Sequence, residues 1–351
     1  MPEAANLDTT TFLIVSIIKI AIMVWFLLTA VAYAVWLERK VVGHIQNRWG
    51  PTRVGPFGLL QPLADGLKFM LKEDLTPPYV HKLLYLAAPV IAVSTALLSI
   101  ALIPFGPTVN IAGVRTPLQI TDTNISLLII LGVTSIGVYG VALAGWSSNS
   151  KYSLLGSLRA SAQMVSYEIA LGLSLIGVLI LSGTFSLSGI VESQHAYWFG
   201  WLPKWNIFRG QIVAFFIYLM AAFAETNRVP FDLPEAETEL VAGYHTEYSA
   251  MKFAMFFMAE YANMFTVAFL ASVLFLGGWQ GPVFGPAWLQ AGLPAFWFLL
   301  RVFGFLFLYI WIRGTLPRFR YDQLMGFGWK VLLPLAIANL VITSLVVGLQ
   351  S

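Results

Sequence analysis

Glu168 and Glu260 each lie inside an apolar run of about the 20 residues that cross a bilayer, and Glu38 and Glu225 close two more such runs. A carboxylate at membrane depth costs roughly 2.5–3.5 kcal/mol on insertion scales, so it is rarely kept without a use. Between Glu225 and Glu247 follows an acid-rich stretch holding Asp232, Glu235, Glu237 and Glu239. Glu235 and Glu239 stand one helical turn apart with Glu237 beside them, and like charges at that spacing raise one another's affinity for protons. Carboxylates so placed can hold or pass protons along a polar route through an apolar protein. Each has a plainer reading. Pro234 with acids behind it is also how a helix starts, with negative charge at the positive end of the dipole. A Glu in a span can be hydrogen-bonded packing, and Glu38 beside Arg39 can be an interfacial ion pair.

The elements that position these acids follow from composition. Of 351 residues 58% are hydrophobic and 11% charged, less than half the usual share of about 25%. Mean hydropathy is +0.77. The spacing predicts eight membrane helices, at Phe12–Leu37, Leu83–Pro104, Ile125–Trp146, Gln163–Gly183, Gln211–Ala224, Ala250–Gly277, Pro294–Ile312 and Phe327–Gly348. The fifth is short unless residues 206–210 join it. The fold expected is an all-α polytopic membrane protein, a single membrane domain over residues 1–351. The acidic N-terminus lacks the basic region of a cleavable signal, so the first run is expected to stay as a helix.

Lys and Arg set the orientation. Arg39, Lys40, Arg48, Arg53, Lys68, Lys72 and Lys82 follow the first span; Lys151 and Arg159 follow the third; Arg228 and Lys252 follow the fifth; Arg313, Arg318, Arg320 and Lys330 follow the seventh. The other side has Arg115, Lys204 and Arg209. This asymmetry places both termini on the periplasmic side. In the first inner loop, about residues 58–72, Leu59, Leu60, Leu63, Leu67, Met70 and Leu71 recur at helical spacing, which predicts an amphipathic helix on the membrane surface, either an anchor or the wall of a ligand site.

There is no cysteine, which excludes disulfides and thiolate-held iron–sulfur or zinc sites. His44, His81, His195 and His245 all fall outside the apolar runs, and no Gly-rich phosphate loop follows a strand pattern. The chain is expected to carry no redox centre, metal or nucleotide, and a basic excess of +3 does not suggest nucleic acid.

The inner loops are the distinctive part. Glu38-Arg39-Lys40, Gln46-Asn47-Arg48-Trp49-Gly50-Pro51, Gly58-Leu59-Leu60-Gln61-Pro62-Leu63-Ala64-Asp65 and the run from Leu158 through Tyr167-Glu168 stand beside Ala224-Glu225-Thr226-Asn227-Arg228-Val229-Pro230-Phe231-Asp232 and Arg313-Gly314-Thr315-Leu316-Pro317-Arg318-Phe319-Arg320. Over essentially its whole length the chain resembles the quinone-chamber membrane subunit of proton-pumping NADH:quinone oxidoreductase, respiratory complex I. The resemblance implies a subunit of the cell inner membrane that takes quinone as substrate and carries no electrons itself, the FMN and iron–sulfur clusters lying on partner subunits. It implies a chamber lined by Arg39, Arg48, Asp65, Glu225, Arg228, Asp232, Glu235 and Glu237. A proton path would run through Glu38, Glu168, Glu239, Glu247, Glu260 and Tyr167, and a basic loop at Arg313, Arg318 and Arg320 would dock the hydrophilic arm beside its terminal cluster. Small membrane subunits would link it to antiporter-like pumps, and lipid would surround it. Some members carry an acid in the third span. Here Ile125–Trp146 has none, so a relay there would need water or another subunit. The rival readings are a related subunit of an ion-translocating hydrogenase-type complex and a standalone proton-coupled transporter; the latter would favour repeated halves with broken helices, which are not visible.

Overall fold

The computed structural model describes residues 9–111, 114–198, 202–232 and 241–350. They form a helical bundle in which seven helices are long and apolar enough to cross a membrane. In chain order the helices are α1 (Thr9–Ile45), α2 (Gln61–Leu71), α3 (Lys82–Ile100), α4 (Ser126–Ser147), α5 (Lys151–Ser182), α6 (Leu187–Ser193), α7 (Ile212–Glu225), α8 (Ala250–Phe275), α9 (Ala287–Thr315) and α10 (Tyr321–Gln350). Residues Gly328–Leu332 of α10 form a π-helical turn. Two short antiparallel hairpins, Val109–Ile111 with Val114–Thr116 and Tyr197–Trp198 with Leu202–Pro203, lie in the connections after α3 and α6.

Several boundaries differ from those the sequence suggested. α5 begins at Lys151, twelve residues before the expected Gln163, so Lys151 and Arg159 are helical rather than loop residues. The early turns are polar by composition, yet Ser153, Gly156, Ser157 and Ala160 pack inward, and small residues let helix backbones approach. α1 likewise continues past Leu37 to Ile45, carrying Glu38 and Arg39 on a regular helix. α7 has 14 residues, about 21 Å, and is the one apolar helix of the described residues that falls short of a full crossing.

The middle helices close a ring: α3 packs on α4, α4 on α5, α5 on α7, and α8 joins α7 back to α3. α8 is its most enclosed member, buried at every residue from Met264 to Phe275. α1 and α9 pack together against α8, and α10 packs against α5 and α7. α2 stands apart. It has no buried residue, and Leu63, Leu67, Met70 and Leu71 expose its apolar face, as a helix lying in a membrane interface would.

Candidate functional site

The chain leaves α7 at Glu225 and turns sharply, with Asn227 in the left-handed region at φ 50°. Gln163 of α5 fixes this turn. Its amide Nε2 donates to the carbonyls of Ala224 and Phe231, both at 2.8 Å. The turn delivers Arg228 into the bundle, where it is 5% exposed. Arg228 Nε lies 2.8 Å from Glu260 Oε1 on α8, and Nη1 lies 3.6 Å from Glu38 Oε2 on α1. Its guanidinium sits 4.1 Å from the centre of the Tyr261 ring. Tyr261 in turn donates its hydroxyl to Glu38 Oε2 at 2.9 Å, and Arg313 of α9 pairs with the other Glu38 oxygen. Two carboxylates and two guanidiniums thus neutralise one another where an unpaired charge would be strongly disfavoured. Because Arg228 bridges Glu38 and Glu260, a proton arriving on either carboxyl alters the field at the other.

This cluster joins two cavities, one almost wholly apolar and one of mixed lining. One, about 400 Å³, lies between α1, α8 and α9. Phe26, Ala30, Phe265, Phe269 and Leu306 line it, and Glu38 and Tyr261 contribute polar groups. The other is small, about 30 Å³, enough for water; Glu225, Thr226, Asn227, Tyr244, Glu260 and Asn263 form its polar wall, opposite apolar residues such as Val141, Met164 and Phe256. Glu260 Oε2 is buried and accepts no hydrogen bond from the described residues. Glu168 is close enough for its charge to bear on Glu225, and Asp232 does the same to Glu260. Glu168 is held by Ser135 of α4, whose hydroxyl donates to Oε1. The span without an acid therefore supplies a hydroxyl at the same depth. Ser135 went unnoticed in the sequence; a Thr-Ser pair inside an otherwise apolar run was its only signal.

The remaining expected residues divide. Arg39 pairs with Asp65 at 2.7 Å, and Gln61 donates to the same carboxylate, tying α1 to the surface helix α2. Arg48 is exposed and donates to Gln46. Arg318 pairs with Asp232 at 3.1 Å, whereas Arg320 pairs with Asp322 at the surface. Of the three basic residues grouped by sequence, Arg313 belongs to the buried cluster, Arg318 caps the start of the acidic segment and Arg320 faces outward. Tyr167 is fully buried and donates its hydroxyl to the Leu324 carbonyl, a contact that anchors α10 on α5. Glu247 accepts from Tyr79, and Lys252 pairs with Asp74 at 3.0 Å, so these contacts join the segment after α2 to the start of α8. Glu235, Glu237 and Glu239 lie outside the described residues. His245, in the same loop as Glu247, is packed among Tyr244, Phe253, Phe256 and Phe257, and burial pushes its imidazole down to about 3. Among the described residues no group of three His, Cys, Asp or Glu could hold a metal ion.

Comparison with known proteins adds to this geometry. The family described as NADH dehydrogenase matches residues 18–344. The chain is 70% identical over 353 residues to an H-type subunit of NADH-quinone oxidoreductase from Koribacter versatilis, covering 97% of this chain and 98% of the relative. It is 51% identical over 395 residues to an H-type subunit of the same enzyme from Solibacter usitatus, covering 96% and 98%. It is also 51% identical over 337 residues to the H-type subunit from Thermomicrobium roseum, covering 95% and 96%.

Proposed function

The chain belongs to the family of H-type subunits of NADH-quinone oxidoreductase, and from that premise we propose that it receives the quinone of such a complex and links quinone reduction to proton movement through its buried acids. The observation that carries this reading is Arg228 held between Glu38 and Glu260, between an apolar cavity and a water-sized one with a polar wall. The apolar cavity suits an isoprenoid tail, and its Glu38 end suits a polar ring. A change of charge on a quinone near Glu38 acts directly on the Glu38–Arg228–Glu260 pairing. From Glu260 the route continues through the small cavity to Glu225, and on to Glu168 with Ser135. Arg39, Arg48 and Asp65 present polar groups around α2, and Arg318 and Arg320 a basic edge, where the hydrophilic arm with its FMN and iron–sulfur clusters would dock. Antiporter-like pumps would be reached through small membrane subunits. Glu235, Glu237 and Glu239 would extend the acidic path.

Eight crossings with both termini outside complete the proposal. α7 becomes the fifth crossing when the turn at residues 206–211 extends it. Asn206 supports that extension by donating its side-chain amide to the Leu274 carbonyl at 2.8 Å.

The test is Glu260→Gln in the assembled complex. Gln keeps the shape and removes the titratable proton. Quinone reduction and proton pumping are expected to fall together by about a hundredfold, the low end of what a positioned proton-transfer group contributes. Electron flow from NADH to a water-soluble acceptor should stay unchanged. Full quinone activity with full pumping in an assembled variant would return Glu260 to a packing role.

A further inference from the structure

A third cavity, of about 340 Å³, opens beyond the larger of the other two along α1 and α9, with Phe26 and Leu299 lining both. Its walls are Ile22, Met23, Phe26, Phe105, Leu118 and Leu299, with Lys19 of α1 among the lining residues. Ile22 and Leu299 are exposed on the flank of the bundle, so this cavity is a groove open to the side rather than an enclosed void. Lys19 donates Nζ to the carbonyl of Pro117 at 3.1 Å and lies 3.4 Å from that of Gln119. An ammonium has three N–H donors, so these two carbonyls leave one unspent, and neither carbonyl cancels its charge. No carboxylate pairs with Lys19 among the described ion pairs.

Position identifies the partner. The rise from Glu38 to Lys19 along α1 is about 28 Å at about 1.5 Å per residue, close to the roughly 30 Å thickness of a bilayer's hydrocarbon core. With Glu38 at the inner border, Lys19 stands at the outer one, where lipid phosphates lie. An unneutralised ammonium at that level, beside a side-opening apolar groove, matches an anionic headgroup joined to an acyl chain. We infer that the groove between α1 and α9 is a phospholipid site, with Lys19 holding the phosphate of an outer-leaflet lipid and an acyl chain lying against Met23, Phe105 and Leu299. The chain then fills the groove up to Phe26. Phe26 meets Phe105 edge-on at 6.5 Å, and Phe105 meets Phe298 at 5.6 Å. Phe26 and Leu299 line both spaces, so the lipid lies end to end with the larger cavity and closes its continuation away from Glu38.

The experiment uses the whole complex, washed extensively in detergent, with retained lipids extracted and identified by mass spectrometry per mole of complex. Lys19→Met is expected to retain one phospholipid fewer than the unaltered complex, and Lys19→Arg to retain it. Ala295→Phe, which fills the groove from α9 and leaves the charge in place, is expected to lose the same lipid. If Lys19→Met does not assemble, the Ala295→Phe result decides. An unchanged phospholipid count in assembled Lys19→Met or Ala295→Phe overturns the proposal. So does a washed unaltered complex that retains no phospholipid, and so does Ala295→Phe losing quinone or detergent in place of phospholipid.

Discussion

At the scale of single residues the protein is governed by how its buried charges are paired. Arg228 serves two carboxylates; removing it strands Glu260, while Glu38 keeps Arg313 and the Tyr261 hydroxyl. Arg228→Met should lower stability by about 3–5 kcal/mol, read as reduced assembly and a lower denaturation temperature. Adding Glu260→Gln should restore part of that loss, because the stranded charge is gone. Ser135 offers a finer probe. Ser135→Ala removes the hydroxyl that donates to Glu168, and quinone-linked pumping should fall by less than in Glu168→Gln. His245 sets a pH limit. Its folded-state value of about 3 lies below the unfolded value of about 6.5. The unfolded chain therefore binds the proton first as pH drops. The stability associated with neutral His245 is complete above about pH 6.5 and is lost progressively as pH falls towards 3. Inactivation rates of the complex measured between pH 8 and pH 5 should rise on the acid side, and His245→Phe should flatten that rise.

At the scale of elements the site depends on close backbone approaches. Gly156 of α5 faces Gly243 in the loop before α8, where an added Cβ would stand 2.7 Å from the Gly243 Cα. Backbone on both sides cannot rotate away. Gly156→Ala should push the loop off α5, moving Tyr244 and its edge of the small cavity, at a cost of about 1–3 kcal/mol. The readout is denaturation temperature together with quinone reductase activity, and an unchanged pair of values would show that the loop adapts. The turn after α7 is held differently, by one side chain, Gln163, satisfying two carbonyls. Arg48 contrasts with both, since it is exposed and its side chain donates to Gln46, two residues away. Arg48→Ala should therefore leave assembly intact and impair quinone reduction selectively, with electron flow to a soluble acceptor preserved.

At the scale of the whole molecule, topology is the testable quantity. The Lys/Arg asymmetry with eight crossings puts both ends outside, whereas the seven long helices alone would put them on opposite sides. A periplasm-specific reporter fused at the C-terminus should be active and a cytoplasm-specific one inactive. The reverse would show that α7 does not cross.

The apolar runs, the clustering of basic residues in alternate loops and the acids at span ends were legible in the sequence. Those features are one-dimensional: transfer to lipid depends on local composition, and a carboxylate in an apolar run stands out in any fold. The amphipathic surface helix was legible too, because its periodicity is local. Helix ends were less so. α5 starts twelve residues early because Gly156, Ser157 and Ala160 find a partner surface that composition does not reveal. Which charges meet was decided only by the tertiary structure. Glu38, Arg228, Glu260 and Arg313 come from α1, the turn after α7, α8 and α9, far apart in the chain. The sequence grouped Arg313 with Arg318 and Arg320 by proximity, and packing separated them. Pairing of buried ions depends on distances of a few ångströms between helices, and those are set by how small and large side chains interlock across the bundle.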